Sequence, residues 1–277
     1  MHILIPVLVL GGLGLLFGFG LAIASKKFCV VVDPHLEKVL SCLPGANCGA
    51  CGMAGCMAFA RSLIKGQVSL DSCRAMEEEA IKDASQVLGI ELEVKVKQVA
   101  VLHCGGGNKV KDRFQYNGLA DCVAANLVSR GQKACVYGCL GFGTCEKACP
   151  FGAITMSKDG LPEVDLKKCR ACGRCIEVCP KKLFSLIPVT SKVIVACASR
   201  DSGRDTRAIC SVGCIACRKC EKVCPVDAIH VLDGSASLTI NAGRSRGIDN
   251  LAVIDYNKCT SCNECEKACP TKCIRLI

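Results

Sequence analysis

Cysteine is the residue that could do chemistry in this sequence. It fills 27 of 277 positions, and the thiols arrive in closely spaced groups. Cys169, Cys172, Cys175 and Cys179, followed by Pro180, spell C-x2-C-x2-C-x3-C-P. The same spelling recurs at Cys214, Cys217, Cys220, Cys224 and Pro225, and again at Cys259, Cys262, Cys265, Cys269 and Pro270. That run is the bacterial pattern for holding a [4Fe–4S] cluster. A fourth run, Cys135, Cys139, Cys145, Cys149 and Pro150, has the same exit and a stretched start. Upstream, Cys48, Cys51 and Cys56 share a Gly-rich loop and Cys73 follows after a helix-length interval. The glycines allow positive φ and close backbone approach, so that N–H groups can point at sulfur. Disulfides account poorly for these thiols. The count is odd, the intervals are too short to close useful loops, and the chain is too long for a small secreted scaffold. A structural zinc site would pair two C-x2-C knuckles, which the upstream group lacks.

In two-cluster ferredoxins the fourth cysteine of each run ligates the neighbouring cluster. Pairing the four runs gives two ferredoxin-like modules, residues 135–190 and 214–277. The expected ligand sets are Cys135, Cys139, Cys145 and Cys179; Cys169, Cys172, Cys175 and Cys149; Cys214, Cys217, Cys220 and Cys269; and Cys259, Cys262, Cys265 and Cys224. With Cys48, Cys51, Cys56 and Cys73 the expectation is five [4Fe–4S] clusters. Of the remaining cysteines, Cys29, Cys42 and Cys273 read as ordinary buried thiols. Cys104 and Cys197 each end an apolar run, Val99–Cys104 and Val193–Cys197, and each is followed by another cysteine, Cys122 or Cys210. If those two strands pair in one sheet, Cys104, Cys122, Cys197 and Cys210 could form a sixth iron–sulfur site. The competing reading is four structural thiols.

These groups need elements to hold them. Residues 1–27 read as a transmembrane anchor: Ile3–Ala24 carries no polar side chain, and a helix of that length spans roughly 33 Å. A cleaved signal peptide fits less well, because a basic n-region is missing and the apolar run is too long. Lys26 and Lys27 follow the run and only His2 precedes it, which puts the large part on the cytoplasmic side. Residues 28–90 form the upstream four-cysteine domain, with an amphipathic helix over Arg74–Leu88. Residues 91–134 connect to the first module, with a strand over Ile90–Val101 and a helix over Asp121–Ser129 capped by Asp121. Residues 191–213 connect the two modules. The fold class is α+β. Aromatics make up 4% of the chain and Trp is absent, so the bulky core is small and metal clusters should help organise it.

The formal charge is +10. No long basic run or aromatic-interleaved strand supports nucleic acid. Lys167–Lys168, Lys181–Lys182 and Arg218–Lys219 abut the cysteine runs and can offset thiolate charge or meet an acidic protein. The glycines 105–107 lack the full dinucleotide-binding pattern and read as a turn. The four His residues are scattered, so no acid–base site is visible.

The anchor, the loop Leu43-Pro44-Gly45-Ala46-Asn47-Cys48-Gly49-Ala50-Cys51-Gly52 and the ferredoxin runs together resemble the B-type subunit of the Rnf complex, in its longer form with two ferredoxin modules. The resemblance implies a membrane-anchored component of an ion-translocating ferredoxin:NAD oxidoreductase. Such a component takes electrons from soluble ferredoxin and passes them through [4Fe–4S] clusters to flavin- and NAD-binding partner subunits. Chemistry on substrate bonds is not expected of this chain itself. Two other readings remain: the electron-transfer subunit of another membrane oxidoreductase, and part of the related system that reduces an iron–sulfur transcription regulator.

Overall fold

The computed structural model describes residues 4–27, 34–90, 96–232 and 250–277. Helix α1 (Leu4–Lys27) is apolar as far as Ala24, before Ser25 and its terminal lysines, and its large side chains stand exposed. It is long and apolar enough to cross a membrane. Among the described residues nothing covers its large apolar side chains.

Three helices follow: α2 (Pro34–Cys42), α3 (Cys56–Ile64) and α4 (Glu78–Leu88). They bury Leu36, Val39, Phe59, Leu63 and Leu70 in a small core. The helix expected from Arg74 begins at Glu78, because residues 73–77 are extended at both ends, with Cys73 at ψ 90° and Glu77 at ψ 158°. That stretch delivers Cys73 to the other thiols before the helix starts. Of the expected strand over Ile90–Val101, residues 91–95 lie outside the described residues, and pairing begins at Gln98.

The rest of the chain repeats one plan twice. The first half has strand β1 (Gln98–Leu102), helix α5 (Cys122–Leu127), helix α6 (Thr144–Lys147), hairpin β2 (Ile154–Met156) and β3 (Pro162–Val164), helix α7 (Arg174–Val178) and strand β4 (Phe184–Pro188). The second half has strand β5 (Val193–Val195), helix α8 (Gly203–Ile209), helix α9 (Lys219–Lys222), strands β6 (Ile229–Leu232) and β7 (Leu251–Ile254), helix α10 (Glu264–Ala268) and strand β8 (Ile274–Leu276). The expected pairing of the two apolar strands with each other does not occur. Strand β1 pairs antiparallel with β4, Leu102 opposite Phe184, and β5 pairs antiparallel with β8, Val195 opposite Ile274. Each strand closes the ferredoxin-like module that follows it, and the last ladder bonds correspond: His103 N–H to Leu183 O, and Ala196 N–H to Cys273 O.

Strand β5 also joins the halves. Val193 and Val195 sit in the core of the second module, while Ile194, on the opposite face of the strand, sits in the core of the first. Tyr256 packs against both cores and donates its hydroxyl to Val193 O. His103, buried after β1, bonds Val195 O through Nδ1 at 2.8 Å and Ser185 Oγ through Nε2 at 2.6 Å. A carbonyl can only accept, so Nδ1 carries a proton and the ring ties β4 to β5. The glycines 105–107 lead into a 3-10 turn, Gly107–Lys109.

Candidate iron–sulfur centres

The cysteines surround cavities. One of about 340 Å³ is lined by Cys224, Cys259, Cys262 and Cys265. A second, about 300 Å³, is lined by Cys214, Cys217, Cys220, Cys269 and Cys273. A third, about 320 Å³, is lined by Cys149, Cys169, Cys172 and Cys175. In these three the structure gathers the cysteines that the crossed ferredoxin pattern groups. Among the described residues no three His, Cys, Asp or Glu side chains converge to hold one metal ion. Four thiols drawn from two cysteine runs around one space suit a [4Fe–4S] cluster, whereas a structural zinc pairs two C-x2-C knuckles.

The local backbone explains how a run wraps such a space. Ala171, Ala216 and Ser261 take φ of 52°, 53° and 56°, and Gly173, Arg218 and Asn263 take 80°, 57° and 67°. Each non-glycine residue in this left-handed region costs about 1–2 kcal/mol, and the loop keeps it because it must curl between successive thiols. After the fourth cysteine the chain donates back to it. Ala153 N–H reaches Cys149 Sγ at 3.4 Å, Leu183 N–H reaches Cys179 Sγ at 3.5 Å, and Ala228 N–H reaches Cys224 Sγ at 3.2 Å. Ala100 N–H from β1 adds a bond to Cys169 Sγ at 3.4 Å. Such donors stabilise negative charge on sulfur.

Burial pushes several of these thiols up: Cys145 and Cys265 to about 11, Cys175 and Cys220 to about 12, with neighbouring thiolates adding to the rise. At these four positions the protonated thiol is the resting form without metal, and metal binding must displace those protons. Cys273 differs. Its sulfur lies 3.6 Å from that of Cys269, and hydrogen bonding with Cys273 holds the thiols of Cys214 and Cys269 below their usual range while that of Cys273 is raised. The residue expected to be an ordinary buried thiol therefore touches the Cys214 set.

The expected set Cys135, Cys139, Cys145 and Cys179 is not brought together around one cavity. A cavity of about 330 Å³ is lined by Cys122, Cys139, Cys145 and Cys179, and Cys135 is absent from its wall. Cys135 instead lines a cavity of about 500 Å³ with Cys104, Cys139, Cys197 and Cys210. The register explains the exchange. Cys139 and Cys145 are separated as Cys169 and Cys175 are, and Gly141 and Gly143, at φ 83° and 70°, occupy the two left-handed positions of the other runs. The fourth run is therefore regular, with Phe142 standing where the second cysteine would be. Phe142 packs its ring on Tyr116 at 5.5 Å, against the segment that leads to Cys122. Asp121 caps α5 as expected, accepting from Val123 N–H and Ala124 N–H. Thr144 Oγ donates to Asp121 at 2.8 Å and accepts from Cys122 N–H at 2.8 Å, which pins Cys122 beside α6. The signal was available in the spacing: a run with its second cysteine replaced must draw a ligand from elsewhere.

In the upstream domain, Cys73 is raised to about 11 by burial and by the charges of Cys51, Cys48 and Cys56, so the four thiols are neighbours. Asn47, at φ 47°, accepts from Cys56 N–H at 2.8 Å. A side chain at Gly55 would meet Asn47 Oδ1 at 2.7 Å, so glycine there lets the loop close. This domain abuts the first module: Cys172 is raised by burial and next by Cys48, and Glu77 pairs with Arg170. Cys42 donates to Lys38 O at 3.3 Å and packs on the helical core. Cys29 lies outside the described residues.

Comparison with known proteins finds iron–sulfur families over these stretches of chain. An Fe-S cluster family matches residues 43–75. A 4Fe-4S dicluster domain family matches residues 134–183 and 213–273. The chain is 44% identical over 76% of its length to the B-type subunit of the Na(+)-translocating ferredoxin:NAD(+) oxidoreductase complex of Acetobacterium woodii, and the match spans 64% of that relative. It is 41% identical over 75% of its length to the B-type subunit of the ion-translocating oxidoreductase complex of Methanosarcina acetivorans, spanning 79% of it. For the corresponding subunit of the proton-translocating ferredoxin:NAD(+) oxidoreductase complex of Clostridium ljungdahlii the figures are 40%, 76% and 75%. With its cysteine-lined cavities, its apolar N-terminal helix and these relatives, the chain belongs to the family of B-type subunits of ion-translocating oxidoreductase complexes.

Proposed function

We propose that this chain is the electron-transfer subunit of an Rnf-like complex, accepting electrons from reduced ferredoxin and passing them towards flavin- and NAD-binding partner subunits, coupled to ion translocation. The observation that carries this reading is the set of cavities each lined by four or more cysteines. We assign the ligands of five [4Fe–4S] clusters to Cys48, Cys51, Cys56 and Cys73; Cys149, Cys169, Cys172 and Cys175; Cys122, Cys139, Cys145 and Cys179; Cys214, Cys217, Cys220 and Cys269; and Cys224, Cys259, Cys262 and Cys265. When bound, each cluster takes up and releases one electron.

The protein's own residues do the rest. The backbone N–H donors after each fourth cysteine and hydrogen bonding with Cys273 stabilise charge on sulfur, the levers by which a protein tunes such a group. Neighbouring sets act on one another electrostatically. Cys145 adds to the rise of Cys175, and Cys48 adds to that of Cys172, so three sets form a series from the upstream domain into the first module. Cys217 and Cys262 are exposed on the second module, where Arg218, Lys219 and Lys222 give an acidic ferredoxin a surface to meet. Helix α1 anchors the chain, and Lys26 and Lys27 at its end orient the large part to the cytoplasmic side.

The test is anaerobic titration of the purified full-length protein with reduced ferredoxin, followed by visible absorbance and low-temperature EPR. Bleaching and signals from several interacting reduced clusters are expected. A protein that carries zinc instead of iron, or that reduced ferredoxin leaves unchanged, would overturn the proposal.

A further inference from the structure

We infer that Cys104, Cys135, Cys197 and Cys210 hold a sixth iron–sulfur cluster at the junction of the two modules, an inference that rests on the iron–sulfur reading above. The four thiols line the largest of the cysteine-walled cavities, about 500 Å³. Cys139 touches it too, but the run register gives that residue to the Cys145 set.

The two modules contribute the same two positions. Cys104 and Cys197 each stand one residue past the last ladder bond of the closing strand, after His103 and Ala196. Each sulfur then accepts a bond from the first cysteine of its module's first run: Cys139 N–H reaches Cys104 Sγ at 3.4 Å, and Cys214 N–H reaches Cys197 Sγ at 3.3 Å. Cys135 and Cys210 each stand four residues before that cysteine, in the same turn. Gly138 N–H bonds Cys135 O at 3.1 Å, and Gly213 N–H bonds Cys210 O at 3.3 Å. A pair from each side, placed alike, is the arrangement that two related halves use to build one shared site. Four unrelated buried thiols would have no reason to repeat it.

The wall is suited to a charged sulfur group. Ser199 N–H adds a second donor to Cys197 Sγ at 3.4 Å. The positive charges of Arg275 and Lys109 act on Cys210. Arg275 also reaches across to Gly105 O, next to Cys104. A Cβ at Gly106 would lie 3.4 Å from Cys210 Sγ and 4.0 Å from Cys104 Sγ, so glycine there keeps the space between those thiols open. The site also fills the gap between the modules. Cys139 lines both this cavity and that of the Cys145 set. On the other side Cys197 bonds the backbone of Cys214, a member of the second module's first set.

The test is iron, acid-labile sulfide and zinc per chain in the full-length protein purified anaerobically, beside a Cys104→Ala, Cys210→Ala variant. About 24 irons are expected for the parent and about 20 for the variant, sulfide falling in step, with the reduced EPR signals of the other clusters retained. A Cys42→Ser control should lose none. A parent at about 20 irons, or equal iron in parent and variant, overturns the sixth site and leaves the relay standing. Loss of one zinc instead of about four irons overturns the cluster assignment. If the variant does not fold, the parent stoichiometry decides. A parent with iron for only one or two clusters after full reconstitution defeats the iron–sulfur reading itself.

Discussion

Phe142 shows how one residue sets the ligand of another. It occupies the second-cysteine position of a run that is otherwise regular, and its ring packs on Tyr116 instead of offering a thiol. Cys122 faces the same cavity from a different element. If Cys122 is the substitute ligand, Cys122→Ala should lower iron by about four per chain. Adding Phe142→Cys should restore it, because position 142 is where the second cysteine of the other runs stands. Iron and sulfide assays on the two variants check this, and restoration by the second substitution separates lost ligation from general misfolding. The exchange with Cys135 was half legible. Cys135-x3-Cys139 and Cys210-x3-Cys214 have the same spacing, yet a spacing read within one run makes Cys135 a stretched start and leaves Cys210 outside any run. Only alignment of the four runs on their left-handed positions shows that both residues occupy one place.

At the scale of elements, short pieces are held by polar ties more than by a large core. Helix α5 has six residues, too few to be stable by itself, and depends on its cap. Asp121 and Thr144 form that cap and also fix Cys122 against α6. Thr144→Val keeps the shape and removes both hydroxyl bonds. It should cost about 1–2 kcal/mol locally and make iron at the Cys122 site the first to be lost to a chelator, with the other sites released at the parental rate. Equal release at all sites would contradict the role given to Thr144. The cap was legible from Asp121 before an apolar stretch. Strand pairing was not: Val99–Cys104 and Val193–Cys197 are both apolar runs that could pair with each other, and composition carries no register. The repeated plan decides it, since each strand meets the last strand of its own module and delivers its terminal cysteine to the same face.

At the scale of the molecule, the +10 charge becomes more specific when its members are followed individually. Lys181 is held by Arg130 O and Val136 O at 2.6 and 2.8 Å, and Lys182 by the carbonyls of Ile176 and Glu177 at the end of α7. Those two charges serve the fold. Lys219 and Lys222 on α9 are exposed and lie beside the exposed Cys217. If ferredoxin meets this face, long-range attraction should speed the encounter, and that attraction is screened as the Debye length falls from about 10 Å at 0.1 M salt to about 3 Å at 1 M. The rate of reduction by ferredoxin should therefore fall as salt rises. Lys219→Glu, Lys222→Glu should slow it several-fold at low salt and flatten the dependence, while iron content stays at the parental value because neither lysine is a ligand. Stopped-flow absorbance over a salt series measures both slopes. An unchanged slope in the variant would move the docking face away from the second module, and a parent rate indifferent to salt would remove charge steering from the account altogether.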